Sequence, residues 1–241
     1  MNKVFICGDL HGGQIGDAKK LTSKNWKEGT TLTKQDYLIV LGDFGYIWHV
    51  NEPSKEELYN YRWFNEKPWT TLFIDGNHEN FNRIERLPEV DMFGGKVGKL
   101  TDSIYHLKRG EVYTINGIKL FTFGGGTSID KIDRIEYISW WSQEDPTDAE
   151  YKHGLEILKA HNNKVDIILS HDCSTRIYEL FDFPKYSQGS QLQRYFDVLE
   201  KDVDYNAWYF GHYHQDYMLD NKHGVLYNTV QELTKEGCGL K

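Results

Sequence analysis

Apolar runs of four or five residues recur along the chain, and most of them end in the same way. "KVFIC" runs into Gly8-Asp9, "YLIVL" into Gly42-Asp43 and "TLFID" into Gly76-Asn77. Further on, "VDIIL" runs into Ser170-His171 and "AWYF" into Gly211-His212. Unbroken runs of Val, Ile, Leu and aromatics of this length predict strands covered on both faces. Helical segments lie between them. The clearest starts at Ser54, with Glu57 at capping-box spacing, and others are predicted over 149–162 and 188–201. The middle differs: "IYHLKRGEVYTINGIKLFTFGGG" alternates, turning at Lys108-Arg109-Gly110 and at Asn116-Gly117, the second a hairpin signal. The tail, "DYMLDNKHGVLYNT", repeats that style. β-turn-α units mixed with antiparallel hairpins, without linker, low-complexity tract or repeat, predict one α/β domain over 1–241. An insertion around 124–148 is expected to cover the site.

Composition narrows the class. A chain of 241 residues buries enough apolar surface to fold without disulfide or structural-metal staples. The formal net charge of −8 argues against a mainly electrostatic nucleic-acid binder, which carries a basic face. The three cysteines, Cys7, Cys173 and Cys238, form no CxxC pair, which excludes a thiolate zinc site or disulfide framework and fits a reducing compartment. The first apolar run is too short for a signal peptide. No stretch approaches the roughly 20 apolar residues of a membrane span. The expectation is a cytoplasmic protein with no membrane partner; the sequence leaves the oligomeric state open.

The polar residues at the strand ends carry the chemistry. Asp9, Asp43, Asn77, His171 and His212 each follow a predicted strand, and in layered α/β folds the loops beyond the carboxyl ends of strands converge on one crevice. His11 and His214 lie two residues beyond donors already named. An i, i+2 pair in extended backbone projects to one side, so each pair is expected to reach one cluster. Two carboxylates, one amide carbonyl and four imidazoles are too many for one tetrahedral zinc. They suit two five- or six-coordinate ions sharing a bridging carboxylate. Mixed nitrogen and oxygen donors without thiolate favour Mn, Fe, Zn, Co or Ni over Ca or Mg, with Mn or Fe preferred. Two divalent ions, two aspartates and a bridging hydroxide leave a net positive site for a phosphate oxyanion. Ions about 3.5–4 Å apart can clamp attacking and leaving oxygens in line.

"GDLHG" (8–12), "GDFG" (42–45), "GNHE" (76–79), "SH" (170–171) and "GHYH" (211–214) resemble, in order and separation, the motifs of the calcineurin-like metallophosphoesterases, in particular bacterial and phage members. The motifs span nearly the whole chain, and the resemblance implies a four-layer αββα sandwich with mixed sheets. It further implies that Asp9, His11 and His214 hold one metal, that Asp43 bridges, and that Asn77, His171 and His212 complete the second site. His78 is implied as the catalytic residue outside the coordination sphere, donating a proton to the leaving oxygen or clamping the phosphoryl group; Asn77 and His78 would meet the substrate. The implied reaction is hydrolysis of phosphomonoesters or phosphodiesters, small-molecule or nucleotide, by hydroxide held between the metals. One departure stands out. Where many relatives read GDxxD and the protein phosphatases GDxxDR, this chain has Tyr46 and Ile47. The missing carboxylate usually orients the histidine that is His78 here, and Glu79 is a candidate substitute. The missing arginine ranks protein phosphatase below small-molecule or nucleotide phosphoesterase. A nuclease or RNA-processing activity is the alternative, less favoured on charge, and a non-catalytic scaffold ranks lowest because the ligand set is complete.

Other residues carry weaker signals. His49, His106, His153, His161 and His223 read as surface or structural, and Cys173 as a small buried filler. "FGGGTSIDKIDR" (123–134) divides evenly between a phosphate-facing loop using Lys131 and Arg134 and a flexible turn with solvated charges. Trp140 and Trp141 read as a lid or core packing ahead of a nucleobase wall.

Overall fold

The computed structural model describes residues 2–181 and 189–239. Its strands are β1 (Val4–Cys7), β2 (Tyr37–Leu41), β3 (Thr70–Ile74), β4 (Glu89–Met92), β5 (Gly95–Thr101), β6 (Ile104–Leu107) and β7 (Glu111–Ile115). After these come β8 (Ile118–Phe123), β9 (Ile167–Ser170), β10 (Ala207–Phe210), β11 (Tyr217–Met218), β12 (His223–Val225), β13 (Val230–Thr234) and β14 (Gly237–Cys238). The helices are α1 (Lys55–Asn65), α2 (Phe81–Ile84), α3 (Asp148–Ala160), α4 (Thr175–Leu180) and α5 (Gln191–Asp202). The predicted helices correspond to α1, α3 and α5; the expected start of the last, Gln188, lies outside the described residues. Ser54 caps α1 as its spacing implies: its side chain accepts from the Glu57 amide while the Glu57 carboxylate accepts from the Ser54 amide. Such a cap is worth about 1 kcal/mol.

Two mixed sheets form, ordered β14-β13-β1-β2-β3-β6-β5-β4 and β11-β12-β10-β9-β8-β7. Their centres are parallel: β1, β2, β3 and β6 in the first, β12, β10, β9 and β8 in the second. Alternation within the apolar runs explains the layering. Val4, Ile6, Ile39 and Leu41 face inward against Ile167, Leu169 and Tyr209 of the other sheet. Phe5, Cys7, Leu38 and Val40 face outward against Tyr61 and Phe64 of α1. On the far side, Phe121, Ile168, Trp208 and Phe210 pack against Tyr151, Leu158, Leu192 and Phe196 of α3 and α5. Helix, sheet, sheet, helix is the resulting order. The Asn116-Gly117 turn does close a hairpin, with both residues at positive φ between β7 and β8. Lys108–Gly110 instead carries the chain from one sheet to the other, because β6 and β7 belong to different sheets. Among the described residues, no helix is long and apolar enough to cross a membrane.

Candidate metal centre

β1, β2 and β3 end side by side in one sheet, and β9 and β10 side by side in the other, so their five following loops meet at one edge of the sandwich. Backbone contacts stitch these loops together. The amides of Leu10 and His11 both donate to the Asp43 carbonyl, at 2.9 and 2.8 Å. The His78 amide donates to Asp43 Oδ1 at 2.8 Å, and the His212 amide to Asp9 Oδ1 at 3.1 Å. His11, Asp43, His212 and His214 all have positive φ, at 44°, 45°, 67° and 53°. Extended backbone is therefore not what aligns the paired histidines; tight left-handed turns aim them, a strain that a functional site tolerates.

The side chains of these turns gather at that edge. His11 Nε2 lies 3.2 Å from Asp43 Oδ2, and His214 Nε2 lies 3.2 Å from Asp9 Oδ2. His171 Nε2 lies 3.1 Å from Asn77 Oδ1 and 3.4 Å from Asp43 Oδ1. The His212 ring meets the His171 ring edge-on, with centroids 4.8 Å apart, and the His78 ring meets that of His11 at 5.3 Å. Asp9, His11 and His214 form one compact donor group, and His11, Asp43 and His78 a second that shares His11. Asp9, Asp43 and His171 are buried, whereas the side chain of His214 is 44 % exposed.

Four of the donors are held from behind. His11 Nδ1 faces Asp17 Oδ2 at 2.7 Å. The His214 ring stacks on Tyr227 with centroids 4.4 Å apart, and the Tyr227 hydroxyl donates to the other Asp17 oxygen at 2.7 Å. Asn77 Nδ2 donates to Ser128 Oγ, which donates to Glu144 Oε2 at 2.6 Å, so the amide oxygen is turned into the site. His171 Nδ1 lies 2.9 Å from the Leu41 carbonyl, which can only accept, so that nitrogen carries the proton. Such partners fix ring orientation and leave Nε2 facing into the site.

The donor set has the character of a cation site. With its Nδ1 proton given to Leu41, His171 points Nε2 at two acceptor oxygens, and only a proton or a cation satisfies all three atoms. Asp9 Oδ2 is a buried carboxylate oxygen that accepts no hydrogen bond, an arrangement native proteins rarely leave without a partner and one that a cation would satisfy. The proton affinities agree. Burial opposes charge on His171, yet Asp43 and Asp9 push its pKa up to about 10. Burial likewise opposes charge on His11, and Asp43 with Asp9 and Asp17 lifts it to about 9. On Asp43 burial favours the neutral acid but is outweighed by the facing imidazoles, which hold the carboxyl well below its usual range. Protons occupy these nitrogens where metal would compete for them.

At the position of the missing motif-two carboxylate, Tyr46 is buried in the apolar layer, with Ile47 beside it at the position of the missing arginine. Glu79 does not replace it. Its carboxylate accepts from the amides of Phe44, at 2.7 Å, and Gly45. His78 Nδ1 instead lies 3.1 Å from Nη1 of Arg134. The sequence divides Arg134 evenly between a phosphate contact and a solvated charge; nothing in its spacing marks it as a partner of His78. Lys131 sits 3.8 Å from Asp145. Trp141 is buried, its ring edge-on to Trp48, and Cys173 is buried. Of the histidines outside the cluster, His106 pairs with Asp75, His153 with Glu111 and His223 with Asp220.

A helix–sheet–sheet–helix sandwich with nitrogen and oxygen donors gathered where five strands end is the architecture of metal-dependent phosphoesterases. The chain belongs to the calcineurin-like phosphoesterase family, whose model matches residues 2–216; that family uses a dinuclear divalent metal centre. It is 27 % identical to a lariat debranching enzyme of Drosophila pseudoobscura pseudoobscura over 98 % of this chain and 46 % of the relative. The similarity to the lariat debranching enzyme of Danio rerio is 24 % over 97 % of this chain and 44 % of that protein. Lariat debranching enzyme A of Xenopus laevis is 27 % identical over 85 % of this chain and 38 % of its own length. The chain thus spans less than half the length of these relatives. A solved structure described as GAP50, the anchor in the inner membrane complex of Plasmodium, superposes with a TM-score of 0.56 at 16 % identity, over 98 % of this chain and 82 % of that one. At that identity the likeness concerns the fold alone.

Proposed function

We propose that this chain hydrolyses phosphodiesters, nucleotide esters among them, with a pair of divalent ions, Mn or Fe favoured. The observation that carries the reading is the straddling position of Asp43. Its Oδ2 faces His11 and its Oδ1 faces His171, so one carboxylate serves two sets of imidazoles. On one side stand Asp9, His11 and His214; on the other Asn77, His171 and His212. Bound there, divalent ions would supply Lewis acidity and lower the pKa of water. His78 stands at the edge of both groups, placed to donate toward a phosphoryl or leaving oxygen, and Asn77 shares that substrate-facing side. The segment 124–148 supports the role of a cover, since its Ser128 and Arg134 reach Asn77 and His78. Reduced, buried thiols at Cys7 and Cys173 favour the cytoplasm as the compartment.

The acidic net charge ranked nucleic acid below small substrates. Relatives that are lariat debranching enzymes tip the balance the other way and make a branched RNA the substrate to try first. Protein phosphatase remains a weaker reading, because Tyr46 and Ile47 replace the acid and arginine of that branch. The deciding experiment strips the protein with chelator and reloads it separately with Mn, Fe, Zn, Co and Ni. Each form is then offered p-nitrophenyl phosphate, bis(p-nitrophenyl) phosphate, a phosphopeptide and a branched RNA oligonucleotide. Diester cleavage that returns only with metal is the expected result; inertness of every metallated form toward every ester refutes the proposal.

A further inference from the structure

Arg134 reaches His78 from the 124–148 segment and is itself tied down. Its Nη1 lies 3.1 Å from His78 Nδ1 and donates to the Ser139 carbonyl at 3.2 Å, while Nη2 donates to Asp130 Oδ2 at 2.7 Å. The side chain is only 18 % exposed. A guanidinium can donate but never accept. His78 Nδ1 must therefore be the acceptor, and the single proton of the neutral ring sits on Nε2. A carboxylate partner would do the reverse, drawing the proton to Nδ1 and leaving Nε2 a bare lone pair. The residue at position 46, where a carboxylate would play that part, is a buried tyrosine, and Glu79 is occupied with the Phe44 amide.

We propose that Arg134 is the positioning residue for His78, holding its Nδ1 as acceptor so that Nε2–H is a standing hydrogen-bond donor to the phosphoryl group. This rests on the phosphoesterase reading above and sharpens it. An Nε2–H fixed in this way cannot leave as a proton without producing an imidazolate. His78 accordingly acts as a clamp on a phosphoryl oxygen rather than as a proton donor to the leaving group. Stabilisation of that kind acts on the transition state whatever group departs. A general acid, by contrast, matters most when the leaving group is poor.

Two readouts test the proposal on the full chain. In the first, protein labelled with ¹⁵N-histidine and loaded with diamagnetic zinc is examined by long-range ¹H–¹⁵N NMR at mildly alkaline pH, with His78 assigned through His78→Ala. The wild-type ring is expected as the Nε2–H tautomer. Arg134→Met, which keeps the stem and removes every donor, should mix the tautomers, and Arg134→Lys should restore the preference. An Nδ1–H ring in the wild type, or a tautomer unmoved by Arg134→Met, overturns the assignment. In the second, Arg134→Met should lower kcat about 10- to 100-fold with KM unchanged, and by the same factor for diesters with good and poor leaving groups. A rise in KM alone would make Arg134 a substrate contact, and a larger loss on poor leaving groups would make His78 an acid; either result overturns the proposal. If the loaded wild type turns over no ester, the phosphoesterase reading fails while the NMR result still decides the role of Arg134.

Discussion

Asp43 concentrates the risk of the site in one residue. It is buried, ionised and faced by imidazoles on two sides, so a change that keeps its volume and removes its charge should unsettle both metal positions together. Asp43→Asn is expected to lose both ions and nearly all turnover, and His212→Ala to lose one ion with most of the activity. Metal analysis of the purified variants checks this, and full metal content in both removes the ligand assignment. Glu144, behind Asn77, offers a prediction through pH. Burial raises its carboxyl to about 7 from an ordinary 4.5, although the Ser128 amide and hydroxyl favour its ionised form. Between those two values the folded protein binds a proton that the unfolded chain has lost. This contribution to stability is therefore full below pH 4.5 and disappears as pH climbs through 7. At about 1.4 kcal/mol per pKa unit, at most about 3.5 kcal/mol is at stake. Glu144→Gln imitates the protonated acid and leaves Ser128 N–H an acceptor, so it should flatten that slope and exceed the wild type in stability above pH 7. Urea midpoints taken across this range would show it; identical slopes for the two proteins would dismiss the idea.

At the level of elements, the strand ends are where sequence and structure agree best and where close packing leaves least room. The five donor-bearing turns were legible because a both-faces-buried strand must be an apolar run and the residue after it must enter the shared crevice. What spacing does not encode is contact between loops. Asp17 behind His11, Tyr227 behind His214 and Ser128 behind Asn77 lie far along the chain from their partners or in segments without a periodic pattern. The left-handed turns at His11, His212 and His214 also escaped, because histidine gives no local sign of positive φ. The glycines do. Gly42 has a φ of 87°, and a Cβ there would overlap the His171 ring; a Cβ on Gly211 would overlap Asp9 Oδ1 and crowd the Leu41 carbonyl. Gly211 lacks a positive φ, so substitution there tests packing against the donors without backbone strain. Gly211→Ala is expected to displace Asp9, cut metal occupancy at the Asp9–His11–His214 group and reduce turnover at least tenfold, while circular dichroism stays that of the folded protein. Normal metal occupancy in this variant would mean that the strand ends have slack which the close approach denies.

For the whole molecule, the decisive fact is that the donors come from both sheets. Asp9, His11, Asp43 and Asn77 follow β1, β2 and β3, whereas His171, His212 and His214 follow β9 and β10. Beside the apolar layer between the sheets, hydrogen bonds such as His212 N–H to Asp9 and His171 Nδ1–H to the Leu41 carbonyl join them at this edge, and several further cross-sheet approaches set imidazole nitrogens against carboxylate or amide oxygens. Ions held there would act as a cross-link, and because the unfolded chain cannot assemble seven donors from five loops, binding free energy becomes folding free energy. At a free metal concentration one hundred times the dissociation constant the gain is about 2.7 kcal/mol. In a chain of this length that raises Tm by about 5–10 °C. The increase should appear with Mn or Zn and disappear with chelator. In Asp43→Asn it should be nearly absent, since no carboxylate remains there to tie the two groups of donors together. Thermal scans of both proteins across a metal titration provide the check. A wild-type Tm that does not respond to metal, or an equal rise in Asp43→Asn, would mean that the two sheets are not joined through this carboxylate.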